Sequence, residues 1–248
     1  LPMPGTPFYE PDNLKKAIDK AVADATALYE GGADGCLVQT IDRIYPVGEA
    51  VDFARLAAVT TVTNAVAEVT DKEFQIGVQI LWNAHQASLA VASVCGGSFL
   101  RCNAFVGSTL TPSGVAEGNP VELINYRNKL NAQHIKLIAE IDGMHFHWLD
   151  GRRSTVEVAK LAITAGADAV EIAHKDEATN LQVIRDLKEA YPNLPVILGG
   201  HTNHENVARR LAEADGALVG SCFEPAGWGS HTDIDRVKAY MDIVATLN

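Results

Sequence analysis

Two acidic residues lie at the ends of separate apolar segments and could act together as a proton donor and a proton acceptor. Asp142 follows the apolar segment 135–141, and Glu171 lies within the segment 169–172. When two carboxyl groups lie close together in different environments their pKa values separate, so that one holds a proton while the other accepts one. Asp142 and Glu171 are therefore the predicted catalytic proton carriers.

An arginine and an asparagine end another apolar segment, 98–103. Arg101 and Asn103 are two residues apart and would share one face of a strand. Because the guanidinium fork binds carboxylate or phosphate through two hydrogen bonds, we predict that this pair orients substrate and stabilises negative charge that develops on it. In the alternative interpretation, Arg101 pairs with Glu171 or Asp142 and has a structural role.

Three histidines are further candidates for chemistry. His145 and His147 alternate along one segment, so both could point at a metal ion, with Asp142 or Glu171 completing the site. The same segment could instead be an apolar lid over substrate, and we expect no tightly bound metal and no cofactor. His174 could serve as a general base, and the lysine beside it could form a Schiff base or simply reach solvent.

Two further apolar segments end in small residues. Gly199 and Gly200 follow one of them, and Gly220 and Ser221 follow the next, with a short helical pattern between the two. Glycines after a buried parallel strand let backbone N–H groups approach an anion, which predicts a phosphate cradle; alternatively they only turn the chain. The remaining polar residues near segment ends are predicted to contact substrate: Gln39, Gln79, Asn83 and His147.

The elements that must position these residues alternate between strand and helix along the whole chain. Strands are predicted at 36–38, 74–81, 98–103, 135–141, 169–172, 195–198 and 216–219, with residues 1–3 as the remnant of a first strand. Turns of similar sequence that contain Gly or Ala precede every second strand. This suggests that a βαβα unit is repeated along the chain. Eight parallel strands close into a (β/α)8 TIM barrel, and an open doubly wound sheet is the second choice. Active sites of such barrels lie at the carboxyl ends of the strands.

Length and composition limit the remaining choices. A chain of 248 residues without a linker fits a single barrel domain over residues 1–248. The net charge of −11 argues against nucleic acid as a partner, and we find no segment apolar enough to span a bilayer. The four cysteines have no paired metal-ligand spacing, which predicts reduced thiols and a cytoplasmic protein.

At the level of motifs, the sequence resembles the BtpA/SgcQ family over nearly its whole length. The resemblance is carried by the segments 1–7, 30–35, 76–78, 81–83, 101–103, 117–118, 126–127 and 215–221, together with Gly114. It implies a TIM barrel and, through the names of family members, either a role in photosystem I biogenesis or one in sugar utilisation. The chain departs from the family pattern at Gln39-Thr40, Met144-His145 and Ala173-His174, which fall on the predicted barrel mouth.

We therefore expect an enzyme of isomerase or lyase type that acts by acid–base chemistry on a small phosphorylated, sugar-like or nucleoside-like metabolite. The chain is also expected to form a homo-oligomer. Two alternatives stay open: a non-catalytic assembly factor on a barrel scaffold, and a metal-dependent hydrolase that uses His145 and His147.

Overall fold

The computed structural model describes residues 4, 9–10, 13–40 and 47–247 of the chain. Its strands are β1 Gly35–Gln39, β2 Gln75–Gln79, β3 Phe99–Cys102, β4 Ser108–Thr111, β5 Gly114–Glu117, β6 Lys136–Asp142, β7 Ala169–Ile172, β8 Val196–Leu198 and β9 Gly216–Ala217. Seven of them form one parallel sheet in the order β1-β2-β3-β6-β7-β8-β9, and β4 pairs with β5 in a separate antiparallel hairpin.

Helices connect the parallel strands. They are α1 Asn13–Glu30, α2 Phe53–Ala67, α3 His85–Cys95, α4 Pro120–Lys129, α5 Thr155–Ala165, α6 Glu177–Ala190, α7 Val207–Leu211 and α8 Ile234–Ala245, with a short 3₁₀ turn at Ser221–Phe223. Parallel neighbours need such crossover connections, because a short turn cannot return the chain to the start of the next strand.

The strand order decides between the two predicted folds. Each strand of the seven-stranded sheet lies beside the one that precedes it in that sheet, whereas a doubly wound sheet reverses its order at a switch point. The seven strands match the second to the eighth strands predicted for a TIM barrel. The predicted first strand, residues 1–3, lies outside the described residues.

Helix ends follow short-range chemistry. Ser154 accepts a hydrogen bond from the backbone of Glu157, whose carboxylate accepts one from the backbone of Ser154, so a capping box opens α5. The same helix ends at Gly166, which has a left-handed φ of 105° that suits glycine. Asp233 caps α8 by accepting from the backbone N–H of Arg236.

The hairpin is not among the strands predicted from the sequence. It supports the segment that follows β6: Thr109 Oγ1 accepts from the N–H of His147 at 3.1 Å. The Trp148 ring also packs on Gly107, where a Cβ atom would lie 2.3 Å from the ring. The hairpin thus fixes the loop that carries the predicted histidines.

The main core lies between the sheet and its helices. The residues that alternate along the strands with the polar ones are almost completely buried there: Val78, Leu100, Ala139, Val170, Ile172 and Leu198. Burial of each Val, Leu or Ile side chain in this set stabilises the fold by roughly 1.5–3 kcal/mol. The opposite strand faces are left for polar residues. In the described part of the chain, no helix is both long and apolar enough to cross a membrane.

Candidate functional site

The centre of the candidate site is an ion pair between β3 and β7. Arg101 Nε donates to Glu171 Oε2 at 2.7 Å, and Arg101 Nη2 donates to Oε1 of the same carboxylate. Both residues are nearly or fully buried, with Arg101 5% and Glu171 0% exposed. This is the pairing that the sequence left open as the structural alternative, and it occupies the guanidinium fork that was predicted to hold a substrate.

A second buried carboxylate, Glu140, adjoins this pair and was missed from the sequence. Glu140 is directly opposite Glu171 in the β6 and β7 register, and its Oε2 lies 3.7 Å from Arg101 Nη2. An acidic residue between apolar neighbours, Ala139 and Ile141, was the available signal, since burial of a charge requires a partner. Two carboxylates therefore share one guanidinium.

The two buried glutamates differ in their pKa values. Burial raises the pKa of Glu171 above its usual range, and the Glu140 charge adds to this, against the opposing effect of Arg101. Burial also raises the pKa of Glu140, but its hydrogen bonds with His145 and the Arg101 charge outweigh burial and hold it below its usual range. The predicted split between two carboxyl groups thus occurs at Glu140 and Glu171.

His145 is held by Glu140 at two points. Its backbone N–H donates to Glu140 Oε1 at 2.7 Å, and its ring Nδ1 lies 3.1 Å from Oε2. The ring also contacts Trp82 edge-on, with 5.6 Å between ring centroids. Nδ1 also lies 3.5 Å from Arg101 Nη2, but its shorter contact is with Glu140 Oε2. Because a carboxylate only accepts hydrogen bonds, we assign the proton to Nδ1, which leaves Nε2 as the proton acceptor. Nε2 makes no hydrogen bond to any residue that the structure describes.

Asp142 has other partners. Its carboxylate accepts from Thr155 Oγ1 at 2.7 Å, lies 3.1 Å from His147 Nδ1 and lies 3.2 Å from His174 Nε2. This corrects the expectation that Asp142 and Glu171 share one pocket with Arg101. The register shifts between Glu140 and Asp142, so that Asp142 pairs with Ile172 rather than with a residue on the face of Glu171.

Asp142, Thr155, His147 and His174 form a partly exposed group, which we call the rim group. The contacts within it shift the pKa values of two of its members. The contact with the Asp142 carboxylate raises the pKa of His174 against the opposing effect of burial. Burial raises the pKa of Asp142, but the contacts with His174 and Thr155 outweigh it and hold that pKa below its usual range. The pairing thus favours the charged form of each residue.

The predicted amide residues divide into two kinds. Asn83 uses both ends of its amide in the fold, accepting from the N–H of Ala104 at 3.1 Å and donating to the carbonyls of Ala104 and Glu117. The sequence did not reveal this structural role. Gln39 Oε1 accepts from Arg101 Nη1 at 3.4 Å.

Gln79 and Asn103 form a side-chain hydrogen bond with each other, and each is only 2% exposed. Gln79 Oε1 and Asn103 Nδ2, like the nearby Trp82 Nε1, are buried and have no hydrogen-bond partner within the described ranges. Leaving such atoms unpaired is costly, by about 1–3 kcal/mol each. A ligand or water that paired with them would remove this cost.

The four residues of the predicted phosphate cradle are not equivalent. The N–H of Gly199 already donates to the carbonyl of Ile172 at 2.8 Å, and a Cβ atom on Gly199 would lie 1.9 Å from Glu171 Oε1. Gly199 therefore makes room for the buried carboxylate. A Cβ atom on Gly220 would meet no atom within 4 Å, so the space there is open, and Ser221 beside it is exposed.

The two histidines proposed for a metal site contact two different carboxylates. His145 pairs with Glu140, whereas His147 pairs with Asp142. Across residues 13–40 and 47–247, no group of three or more His, Cys, Asp and Glu side chains is placed to share a metal ion. The geometry gives no support to the hydrolase alternative.

A curled parallel sheet with its polar residues gathered at the carboxyl ends of the strands places the chain in the TIM-barrel class. The chain belongs to the BtpA family, whose family model matches residues 1–246. Among its relatives, an uncharacterized protein of Archaeoglobus fulgidus is 31% identical over 243 residues, covering 96% of this chain and 92% of the relative. The photosystem I biogenesis protein BtpA of Synechocystis is 28% identical over 249 residues, covering 99% and 85%.

Solved structures with the same fold are much more distant in sequence. N-(5'-phosphoribosyl)anthranilate isomerase from Pyrococcus furiosus superposes with a TM-score of 0.58 at 14% identity, covering 90% of this chain and 93% of that one. KGPDC from Streptococcus mutans gives 0.57 at 11% identity, covering 94% and 93%. Both the predicted barrel fold and the predicted family are confirmed.

Proposed function

We propose that this chain is an enzyme that acts by acid–base chemistry, of isomerase or lyase type, on a small phosphorylated metabolite that resembles a sugar or nucleoside. The observation that carries the proposal is the pair of contacts between Glu140 and His145. A fully buried carboxylate that binds both the backbone N–H and the ring Nδ1 of one histidine fixes the orientation of that ring. The histidine Nε2 is then available to a substrate.

The proton transfer can be written for a substrate with a carbonyl group. The substrate carries a hydroxyl group on the carbon next to its carbonyl, and His145 Nε2 accepts the proton of that carbon while the bonding electrons move to the carbonyl oxygen to give an enediolate. The hydroxyl proton passes to that oxygen, the hydroxyl oxygen becomes the new carbonyl, and the protonated ring gives its proton to the former carbonyl carbon, which completes an isomerisation. Glu140 accepts the Nδ1–H throughout and stabilises the imidazolium that forms in between.

Buried amides and the shared guanidinium have supporting roles in this proposal. Gln79 Oε1 and Asn103 Nδ2 offer one acceptor and one donor, which together match a substrate hydroxyl or carbonyl. Arg101 does not bind the substrate directly, because Glu171 occupies its fork. Its charge instead keeps Glu140 ionised, which Glu140 needs in order to hold His145.

The phosphorylated substrate class is supported by two observations. The N–H groups of Gly200, Gly220 and Ser221 donate no hydrogen bond to other backbone or side-chain atoms in the described part of the chain. They lie at the ends of β8 and β9, where barrel enzymes hold phosphate groups. Similarity of fold to an isomerase of a phosphoribosyl compound is consistent with this class, although it shows the fold alone.

Hydrogen exchange tests the proposal even while the product is unidentified. A panel of sugar phosphates and nucleotide sugars is incubated with the protein in D₂O, and loss of the C–H signal beside the carbonyl is followed by proton NMR. We expect exchange for at least one phosphorylated compound. His145→Gln should reduce its rate by about a hundredfold or more, the usual scale for loss of a proton carrier.

Two further variants make the test specific. Glu140→Gln should lower the exchange rate in the same direction, because a neutral amide stabilises the imidazolium less well. His134→Gln alters an exposed histidine and should leave the rate unchanged. The proposal fails if no compound exchanges, or if His145→Gln retains the full rate.

The alternative of a non-catalytic assembly factor is favoured by one observation, the similarity to the photosystem I biogenesis protein of Synechocystis. A protein that acts by docking alone does not need several buried ionisable groups at one end of its sheet. If His145→Gln and Glu140→Gln leave every cellular role of the protein intact, the assembly function is preferred.

A further inference from the structure

Three basic residues that have no part in the proton transfer come together at the ends of β7 and β8. Lys175 follows β7, His201 follows β8, and Arg210 lies on α7, the helix that comes after His201. The two strands are direct neighbours, with Ile172 opposite Leu198. The loops that leave them therefore emerge side by side at the carboxyl end of the sheet.

Arg210 holds the loop that follows β7 through hydrogen bonds to its backbone. It is only 3% exposed, and its Nη1 and Nη2 donate to the carbonyls of His174 and Lys175 at 3.0 and 2.6 Å. Glu177 lies 3.8 Å from Arg210 Nε but also accepts from Arg209. Asp176 is a second carboxylate nearby, whose pKa is lowered by its hydrogen bonds with Thr179 and, to a smaller extent, by the Arg210 charge. The positive charge of Arg210 is thus only partly compensated.

The other two basic groups carry no ion pair. Lys175 is exposed, and neither it nor His201 pairs with a carboxylate among the residues described by the structure. Burial lowers the pKa of His201, and the positive charges of Arg210, Lys175 and His174 lower it further. The two side chains leave neighbouring strand ends, and the backbone of Lys175 is bonded to Arg210, so an anion placed here would meet positive charge from more than one group.

The backbone adds donors at the same place. Gly200 and His201 both have positive φ angles, 129° and 58°, and left-handed backbone is uncommon for a residue other than glycine. Their N–H groups donate to no other group in the described ranges. Consecutive free N–H groups in such a turn form a concave anion-binding surface.

The geometry points to a phosphate-monoester subsite formed by Lys175 Nζ, the His201 ring and the N–H groups of Gly200 and His201, with Arg210 supporting it from below. It shares Gly200 with the unpaired N–H groups at the ends of β8 and β9, and it adds basic side chains from the β7 side. This subsite extends the proposed function. The identity of the rest of the ligand depends on that function. In a chain with a net charge of −11, a local group of cations is what an anionic metabolite would require.

Direct binding measurements test the subsite. Inorganic phosphate and glycerol phosphate are titrated into the protein by calorimetry at constant ionic strength, with glycerol as the uncharged comparison. We expect millimolar or tighter binding of both phosphates and none of glycerol. Lys175→Ala should weaken phosphate binding by about tenfold or more, because a charge-assisted hydrogen bond is lost.

Matched variants establish which basic groups bind the phosphate. His201→Asn, which tolerates the left-handed backbone, should also weaken binding, whereas Lys160→Ala, an exposed lysine on α5, should not. If the wild type binds no phosphate, or if Lys175→Ala binds as the wild type does, the inference is wrong. It is also wrong if only Gly220→Ala abolishes binding, since the anion would then lie between β8 and β9.

The same measurements distinguish this subsite from the proposed chemistry. His145→Gln should bind phosphate normally even where it has lost hydrogen exchange. Phosphate binding that depends on Lys175, in a protein that exchanges no substrate proton, would support the subsite and contradict the proposed reaction.

Discussion

Glu140 and Asp142 lie two residues apart on one strand, yet they occupy opposite environments. Glu140 is 1% exposed and belongs to a network with Arg101, Glu171 and His145. Asp142 retains 23% side-chain exposure and belongs to a rim group with histidines and a threonine. The register shift between them is what separates the two carboxylates.

The difference shows that position at a strand end does not by itself decide what a carboxylate does. A buried ion network persists only if every charge in it has a partner, because desolvation of an unpaired charge costs several kcal/mol. A rim group is partly solvated, so its members tolerate loss of a partner and respond to pH. The network can orient His145 rigidly, whereas the rim group can adjust its charge.

The largest effect should follow removal of the shared cation. Arg101→Met leaves Glu171 and Glu140 buried without their common partner, and we expect the free energy of unfolding to fall by about 3–5 kcal/mol. Urea denaturation measures the change. Arg185→Met is the matched control, because it breaks an exposed pair with Glu213 and should change stability little.

A double variant checks that the loss comes from the unpaired carboxylate. Adding Glu171→Gln to Arg101→Met removes one of the uncompensated charges and should restore part of the lost stability. If the single variant is as stable as the wild type, or the double variant is less stable than the single one, the network does not hold the strand ends together as described.

An intermediate effect should follow from filling the space beside the buried network. Gly199→Ala would place a Cβ atom 1.9 Å from Glu171 Oε1, and we expect a loss of about 1–3 kcal/mol in unfolding free energy, the usual range for overpacking. Gly220→Ala is the matched control, since its Cβ atom would meet nothing within 4 Å. Equal stability of the two variants would show that Glu171 does not depend on the space at Gly199.

Much of the fold could be predicted from the sequence because its signals are local. Each of the seven parallel strands coincides with a predicted apolar segment, and the caps at Ser154, Gly166 and Asp233 follow short-range chemistry. The hairpin was missed because its two strands, within 108–117, are short and largely polar. Their position also depends on contacts with the loop after β6. That loop is held by tertiary contacts which no local pattern reveals.

The site could be predicted only in part, for reasons that particular residues make clear. Arg101 and Glu171 were identified, since a charged residue at the end of an apolar strand is conspicuous. Glu140 was overlooked within its strand, and Asp142 was assigned to the wrong partners, because the bulge at 140–142 leaves no mark in composition or periodicity. The pair of hydrogen bonds between Asn83 and the backbone of Ala104 likewise depends on a contact across strands.

The smallest effect concerns the rim group and is a dependence of stability on pH. Pairing with Asp142 raises the folded-state pKa of His174 above its ordinary value of 6.5, so the stabilising contribution of this histidine is fully present below that value. It is lost as the pH rises through the raised pKa. Asp142 has a folded-state pKa below its ordinary 3.8, so its own contribution is present above that value and lost as the pH falls further.

The pair should therefore stabilise the protein most between these two limits. We expect His174→Gln to lower the unfolding free energy by about 1 kcal/mol near pH 5.5, because the pair is partly solvated, and by progressively less as the pH is raised past neutrality. Urea denaturation of wild type and variant across this range measures the difference, with His134→Gln as the exposed control. A difference that stays constant with pH would mean that His174 contributes through packing alone. The separation between a rigid buried network and a titrating rim would then no longer hold.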